Sequence, residues 1–302
     1  RGTGILPVFH GRDAHATRGF ARTSSDKVID KARDKVPTPR MTTFFDTHAH
    51  FPDDAAAVEG LLTRAGEAGV TRLMAVGGSP DLNPGALRAA AARPQQVLLA
   101  LGLDREQAAP PDALAAADAL FDEIEPERLA AVGEIGLDYQ RVDAAGRRRQ
   151  CALMEHQLER AAQWELPVII HTRMADVDTL AVLRNASTLP WFRGARPGVI
   201  HCFSGDQAFA DALLDLGYYL SFSGIVTFAN AGPLRAVART IPAERLLIET
   251  DTPFLTPVPL RGRPNEPAYV THVASCLARA RGMALDELAA LTTANAGRLF
   301  SR

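Results

Sequence analysis

Phe45-Asp46-Thr47-His48-Ala49-His50 opens with an apolar residue and ends in His-x-His. In an extended strand, side chains two apart share a face, so His48 and His50 would aim together at one ion. The same form recurs: short apolar blocks run into Glu134, His171, His201 and Asp251, in Val132-Gly133-Glu134, Val168-Ile169-Ile170-His171, Val199-Ile200-His201 and Ile248-Glu249-Thr250-Asp251. Blocks of this kind fall at 43–46, 72–76, 97–102, 130–133, 168–171, 199–201, 218–221 and 246–249, and each predicts a strand. Ala- and Leu-rich amphipathic stretches, among them 58–68, 111–123, 147–165, 206–215 and 234–240, predict helices between them. Strands separated by helices imply parallel pairing, because each crossover needs a helix. Eight such units in residues 41–302 predict an α/β fold, a closed (β/α)8 TIM barrel. An open doubly wound sheet is the alternative, but it would carry a Gly-rich phosphate loop after its first strand, and none stands there. A last helical stretch, 286–299, would close the bottom or side of the barrel.

Composition frames this reading. A net charge of −2 argues neither for nor against a nucleic-acid partner. No apolar run approaches the roughly 20 residues of a membrane span, so no membrane partner is expected. Cys151, Cys202 and Cys276 are odd in number and in no CxxC arrangement, which suits a reducing cytoplasm. Residues 1–40 differ from the rest: they hold all three lysines (Lys27, Lys31, Lys35) and nine Lys+Arg against four Asp, hence +5, which leaves −7 for residues 41–302. The expectation is a basic leader over 1–40, disordered or upstream of a natural start at Met41, followed by a single barrel domain over 41–302. A cleaved organelle leader or a short regulatory tail are the rivals.

A lone histidine at the end of an apolar strand is more often a hydrogen-bonded core residue than a ligand. Six metal-capable residues at strand ends on the side where such barrels build active sites are another matter. His48, His50, Glu134 and Asp251 are assigned to one divalent ion, and Glu134, His171 and His201 to a second, with Glu134 as the bridge. Neutral imidazole with carboxylate suits two ions per chain drawn from Mg, Mn, Zn, Co or Ni. A carboxylated lysine bridge is excluded, because residues 41–302 contain no lysine. Water held between two cations roughly 3.5 to 4 Å apart loses its proton near neutral pH and becomes a nucleophile, for which Asp251 is the candidate base.

These segments resemble the ordered motifs of the TatD-related DNase family. The resemblance includes Gly133-Glu134-Ile135-Gly136-Leu137-Asp138-Tyr139, Ile170-His171-Thr172-Arg173, His201-Cys202-Phe203-Ser204-Gly205 and Glu249-Thr250-Asp251-Thr252-Pro253-Phe254-Leu255. It continues through Arg261-Gly262-Arg263-Pro264-Asn265-Glu266-Pro267 to Asn295-Ala296-Gly297-Arg298-Leu299-Phe300. It implies a metal-dependent hydrolase that cleaves phosphodiesters in DNA, of 3′-end exonuclease type, acting on short or single-stranded ends; a monomer is expected. Two positions depart from the family pattern. Gly102-Leu103-Asp104-Arg105 stands where Gly-x-His-Pro is usual, and Met174 follows Arg173 where an acidic residue is common. An aspartate at 104 would repel phosphate, ligate metal or orient a ligand histidine. It keeps alive an ester, lactone or amide hydrolase, including aminoacyl-tRNA deacylation, on the same metal centre. A metal-stabilised binding protein without turnover is the third reading.

Other residues take both a functional and a plain reading. Arg173 would grip a phosphate or pair with a carboxylate. Ser204 and Gly205 would donate to an oxyanion or form a turn. Asp46 and Glu249, two residues before ligands, would face inward as partners of those ligands. Phe203, Phe254 and Tyr139 would stack on a base or pack under the mouth. Cys202 should turn to the opposite face from His201, and His156 and His272 should be helix-surface or packing residues.

Overall fold

The computed structural model describes residues 42–192 and 196–301; the expected leader over 1–40 lies outside them. Eight parallel strands follow one another in sequence order around the sheet: β1 Phe44–Ala49, β2 Val70–Gly78, β3 Val97–Leu103, β4 Ala131–Asp138, β5 Val168–Arg173, β6 Gly198–Ile200, β7 Tyr219–Phe222 and β8 Leu246–Ile248. Seven helices occupy the crossovers among the described residues: α1 Ala55–Glu67, α2 Asn83–Ala92, α3 Ala113–Asp122, α4 Ala144–Gln163, α5 Asp176–Ala186, α6 Gln207–Asp215 and α7 Gly232–Thr240. Two more, α8 Val270–Arg281 and α9 Leu285–Phe300, follow β8. The ring closes beyond β8, where a parallel bridge joins Ala49 to Thr252. At that seam His50 N–H donates to Thr252 O at 2.9 Å, and Asp251 N–H donates to His48 O at 2.9 Å.

Local chemistry starts the helices where the fold needs them. Asp54, Asp143 and Asp206 accept from Ala57, Gly146 and Phe209 N–H at 2.7, 2.7 and 2.9 Å, capping α1, α4 and α6, each worth on the order of 1 kcal/mol. Gly282 ends α8 in the left-handed region at φ 68°, where a side chain would be strained. Gly85 lets α2 lie against the chain just after β1, since a Cβ there would stand 1.8 Å from Phe51 O.

The strands are buried on both faces, as parallel strands wrapped by helices must be. Inside the barrel, side chains from all eight strands, among them Phe45, Ile169, Val199 and Leu247, form one apolar cluster with Ala296, Leu299 and Phe300 of α9. Helix α9 therefore closes the bottom of the barrel, tied there by Asn295, whose Nδ2 donates to Ala243 O and Leu246 O at 2.7 and 2.8 Å. No helix among the described residues is long and apolar enough to cross a membrane.

Two expectations from the sequence are corrected. Glu134 does not follow the fourth strand but lies within it, because β4 continues to Asp138. Phe45 joins the interior cluster, and Thr47 Oγ1 reaches Ser221 Oγ at 3.1 Å. Plain alternation would thus turn His48 away from the interior, and a shift in the β1–β2 pairing between Asp46 and Ala49 re-aims it. Asp46 consequently meets no imidazole. It accepts from Thr250 N and Oγ1 at 2.9 and 2.6 Å and from His48 N at 3.3 Å, bracing the seam.

Leu299, 1% exposed, sits at the end of the barrel opposite the polar strand ends. Leu299→Ala should lower unfolding stability by about 2–5 kcal/mol in a denaturant titration, and leave metal affinity unchanged.

Candidate metal centre

At the carboxyl ends of the strands, β1 supplies His48, followed by His50; β4 supplies Glu134, and β5 supplies His171. The segments just after β6 and β8 supply His201 and Asp251. The structure brings all six together. Glu134 is 3% exposed, and its two oxygens face different partners. Oε2 lies 3.5 Å from both His48 Nε2 and His50 Nε2. Oε1 lies 3.2 Å from His171 Nδ1 and 3.6 Å from His201 Nε2. Asp251 Oδ1 stands 3.9 Å from both His48 Nε2 and His50 Nε2.

Two donors each roughly 2.1 Å from a metal ion are about 3.0 Å apart at a right angle and about 3.4 Å apart at the tetrahedral angle. The Nε2 atoms of His48 and His50 are 3.2 Å apart, as are His171 Nδ1 and His201 Nε2. These are spacings of atoms that share a coordination shell. Donor atoms of His48, His50 and Asp251 all fall within 4.8 Å of one another, and so do those of His48, Glu134 and His201. His48 thus borders both halves of the centre. His50 Nδ1 lies 2.8 Å from Val76 O, to which it donates, and this directs Nε2 at the site. Burial, helped by the charge on His201, pushes His48 down to about 3 and keeps it neutral. Burial would raise Glu134, but the charge on His201 and hydrogen bonds from His171, His201 and His48 prevail and hold it well below the usual carboxylate range.

Carboxylates stand behind two of the imidazoles. Glu249 is fully buried; its Oε1 lies 3.3 Å from His201 Nδ1 and accepts from Cys202 N–H at 2.6 Å. Asp138 Oδ2 stands 3.6 Å from His171 Nε2 and 2.5 Å from Arg173 Nη2. Burial would raise Asp138, yet the nearby His171 ring and the Arg173 guanidinium outweigh it and keep the group ionised. The role of Asp138 was missed in the sequence, although it lies on the same strand as Glu134, at a spacing that returns to the same face. Arg105 was missed as well: its Nη1 contacts Glu134 Oε1 and lies 3.7 Å from Asp104 Oδ2.

The flanking residues divide. Asp104 is buried at the edge of the centre, with its carboxylate directed at Arg105 and at Glu106 N–H, which it accepts at 2.8 Å; it touches no ligand histidine. Arg173 lines a separate cavity of about 570 Å³ with Arg105, Arg141, Arg149 and Gln140. Ser204 is exposed beyond β6 and is not among the residues that line the metal cavity. Of the three aromatics, only Phe254 reaches the mouth, 57% exposed and 6.2 Å from the His50 ring. Phe203 is buried against Phe209 and Phe222, and Tyr139 gives its hydroxyl proton to Asp178 Oδ2 at 2.7 Å. His156 pairs with Asp118 at the surface, His272 packs edgewise on Tyr269, and Cys202 Sγ lies 3.2 Å from Ser223 Oγ.

Ions bound by these donors should stabilise the fold by mass action, by about 2.7 kcal/mol at a free concentration one hundred times the dissociation constant. Adding Mn²⁺ or Zn²⁺ to chelator-treated protein should therefore raise its melting temperature, and His48→Ala/His50→Ala should abolish most of that rise.

The family model described as TatD related DNase matches residues 45–301. YcfH of Escherichia coli (strain K12), described as an uncharacterized metal-dependent hydrolase, is 48% identical over 174 residues, 58% of this chain and 63% of that one. A protein of Edwardsiella piscicida described as 3′-5′ ssDNA/RNA exonuclease TatD is 35% identical over 259 residues, 84% of this chain and 96% of its own length. Among solved structures, YJJV of Escherichia coli K12, a TatD homologue, superposes with a TM-score of 0.76 at 32% identity, covering 86% of this chain and 99% of its own. With eight parallel strands, a histidine-carboxylate centre at their carboxyl ends and a family match across nearly all the described residues, the chain belongs to the TatD family of metal-dependent hydrolases.

Proposed function

We propose that this protein is a metal-dependent deoxyribonuclease that removes nucleotides from the 3′ ends of short or single-stranded DNA. The observation that carries the reading is the division of Glu134 between two sets of imidazoles. Oε2 faces His48 and His50, which with Asp251 form one ion site, and Oε1 faces His171 and His201, which form the second. Divalent ions held there would polarise the attacked phosphorus and acidify water. The description of the Edwardsiella relative as an ssDNA/RNA exonuclease supports the substrate class.

The chain's own residues take the remaining tasks. Asp251, whose Oδ1 stands 3.9 Å from both His48 Nε2 and His50 Nε2, is placed to accept a proton from water at the centre. Glu249 and Asp138 stand behind His201 and His171, whose other ring nitrogens face Glu134. Phe254, exposed beside His50, offers a face for the terminal base. Arg173, half-exposed and anchored by Asp138, holds a phosphate in the neighbouring cavity. The hydrolase domain comprises residues 41–302 and acts as a monomer in the cytoplasm, where Cys151, Cys202 and Cys276 remain free thiols.

Hydrolysis of an ester, lactone or amide rested on Asp104 repelling phosphate. Its carboxylate is directed at Arg105 instead, which offsets that repulsion and leaves this reading with less support.

With 3′-labelled single-stranded DNA and added Mn²⁺, the protein should release labelled mononucleotide. Asp251→Asn should lower the rate by about 10²- to 10⁴-fold, the range for loss of a general base. Intact DNA at high protein and metal concentrations would overturn the assignment. Phe254→Ala should raise KM by the loss of about 1–3 kcal/mol of base stacking, with metal affinity unchanged.

A further inference from the structure

Arg105 opens a short 3-10 turn, Arg105–Ala108, directly after β3. Its side chain is 19% exposed, and its guanidinium stands at a junction. With Glu106, Arg105 is common to the metal-side cavity, which holds His50, Glu134, His171, His201 and Asp251, and the larger cavity of Arg141, Arg149 and Arg173. Nη1 contacts Glu134 Oε1, the oxygen that also faces His171 Nδ1 at 3.2 Å and His201 Nε2 at 3.6 Å. Asp104 Oδ2 lies 3.7 Å from the same Nη1, a second carboxylate charge beside the guanidinium. The pairing leaves Oε2, which faces His48 and His50, free of the arginine.

A guanidinium and a divalent ion compete for the same lone pairs of one carboxylate oxygen and repel each other at that distance. We propose that Arg105 is a built-in cation that holds the second-ion side of Glu134, so that the two metal positions are unequal. The position of His48, His50, Asp251 and Glu134 Oε2 binds an ion without opposition. The position of His171, His201 and Glu134 Oε1 fills only as Arg105 is displaced, and the larger arginine-lined cavity is where its side chain can turn. Asp104 is the positioning residue that keeps Arg105 on Glu134. The proposal rests on the ion assignment made under Proposed function, and deepens it by ranking the two positions.

The test is a titration of the chelator-treated full chain with Mn²⁺, followed by calorimetry and by the electron paramagnetic resonance signal of free and spin-coupled Mn²⁺. The native protein should show one tight site and a second weaker by about 10- to 100-fold, the range expected for displacing a charge-assisted hydrogen bond. Arg105→Gln should tighten the second site by about the same factor, so that the spin-coupled signal grows in at lower Mn²⁺, while the first site is unmoved. Asp104→Asn, which loosens the hold on Arg105, should move the second site in the same direction by less. Two equal sites in the native protein, or a second site unmoved in Arg105→Gln, would overturn the proposal; the first of these requires no variant to fold. Failure of the underlying assignment is distinct: the tight site would then be missing from the native protein or would survive His48→Ala/His50→Ala.

Discussion

A buried carboxylate that stays ionised must be surrounded by positive charge or by donors, and that constraint on Glu134 organises the upper half of the barrel. The His48 and His50 rings face one of its oxygens, while His171, His201 and the Arg105 guanidinium crowd the other. The Val76 carbonyl fixes the tautomer of His50, and the carboxylates of Glu249 and Asp138 stand 3.3 and 3.6 Å behind the rings of His201 and His171. The result is a layered site, with donors in front and acidic or carbonyl partners behind.

Barrel closure and site assembly are the same event at one seam. The hydrogen bonds that join His48 to Asp251 and His50 to Thr252 complete the ring, and they set Asp251 across from the two histidines of the first strand. Asp46 reinforces the joint by holding Thr250. Asn265 does so further out, donating to Thr250 O and Phe254 O at 2.8 and 2.6 Å. Residues more than 200 positions apart thus reach one centre through backbone pairing. At the other end, α9 fills the barrel with Ala296, Leu299 and Phe300. Stability and chemistry are thereby placed at opposite ends.

Several features were legible because they depend on short-range periodicity. The eight apolar blocks mark the strands, since parallel strands buried on both faces read as unbroken apolar runs. His171 and His201 stand out as the polar groups that end such runs. Glu134 is legible as a candidate but not as a mid-strand residue, because Ile135-Gly136-Leu137 extends the block by alternation and not by continuous apolar character. Simple alternation also misplaces Asp46, since a shift in pairing with the second strand alters which side chains face inward. The aromatics divide for a related reason: Phe203, Tyr139 and Phe254 all follow candidate ligands, and only the surrounding structure decides which are covered.

The sequence by itself determined the barrel class, the six metal-capable side chains and the family, because hydrophobic period and ordered motifs are properties of residue type and spacing. Which oxygen of Glu134 meets which imidazole, that Asp138 backs His171, and that Arg105 stands on Glu134 with Asp104 behind it were decided only by the tertiary structure. Those pairings span separate strands, and their geometry is set by strand register, barrel closure and side-chain direction. None of these three is a local property of the chain.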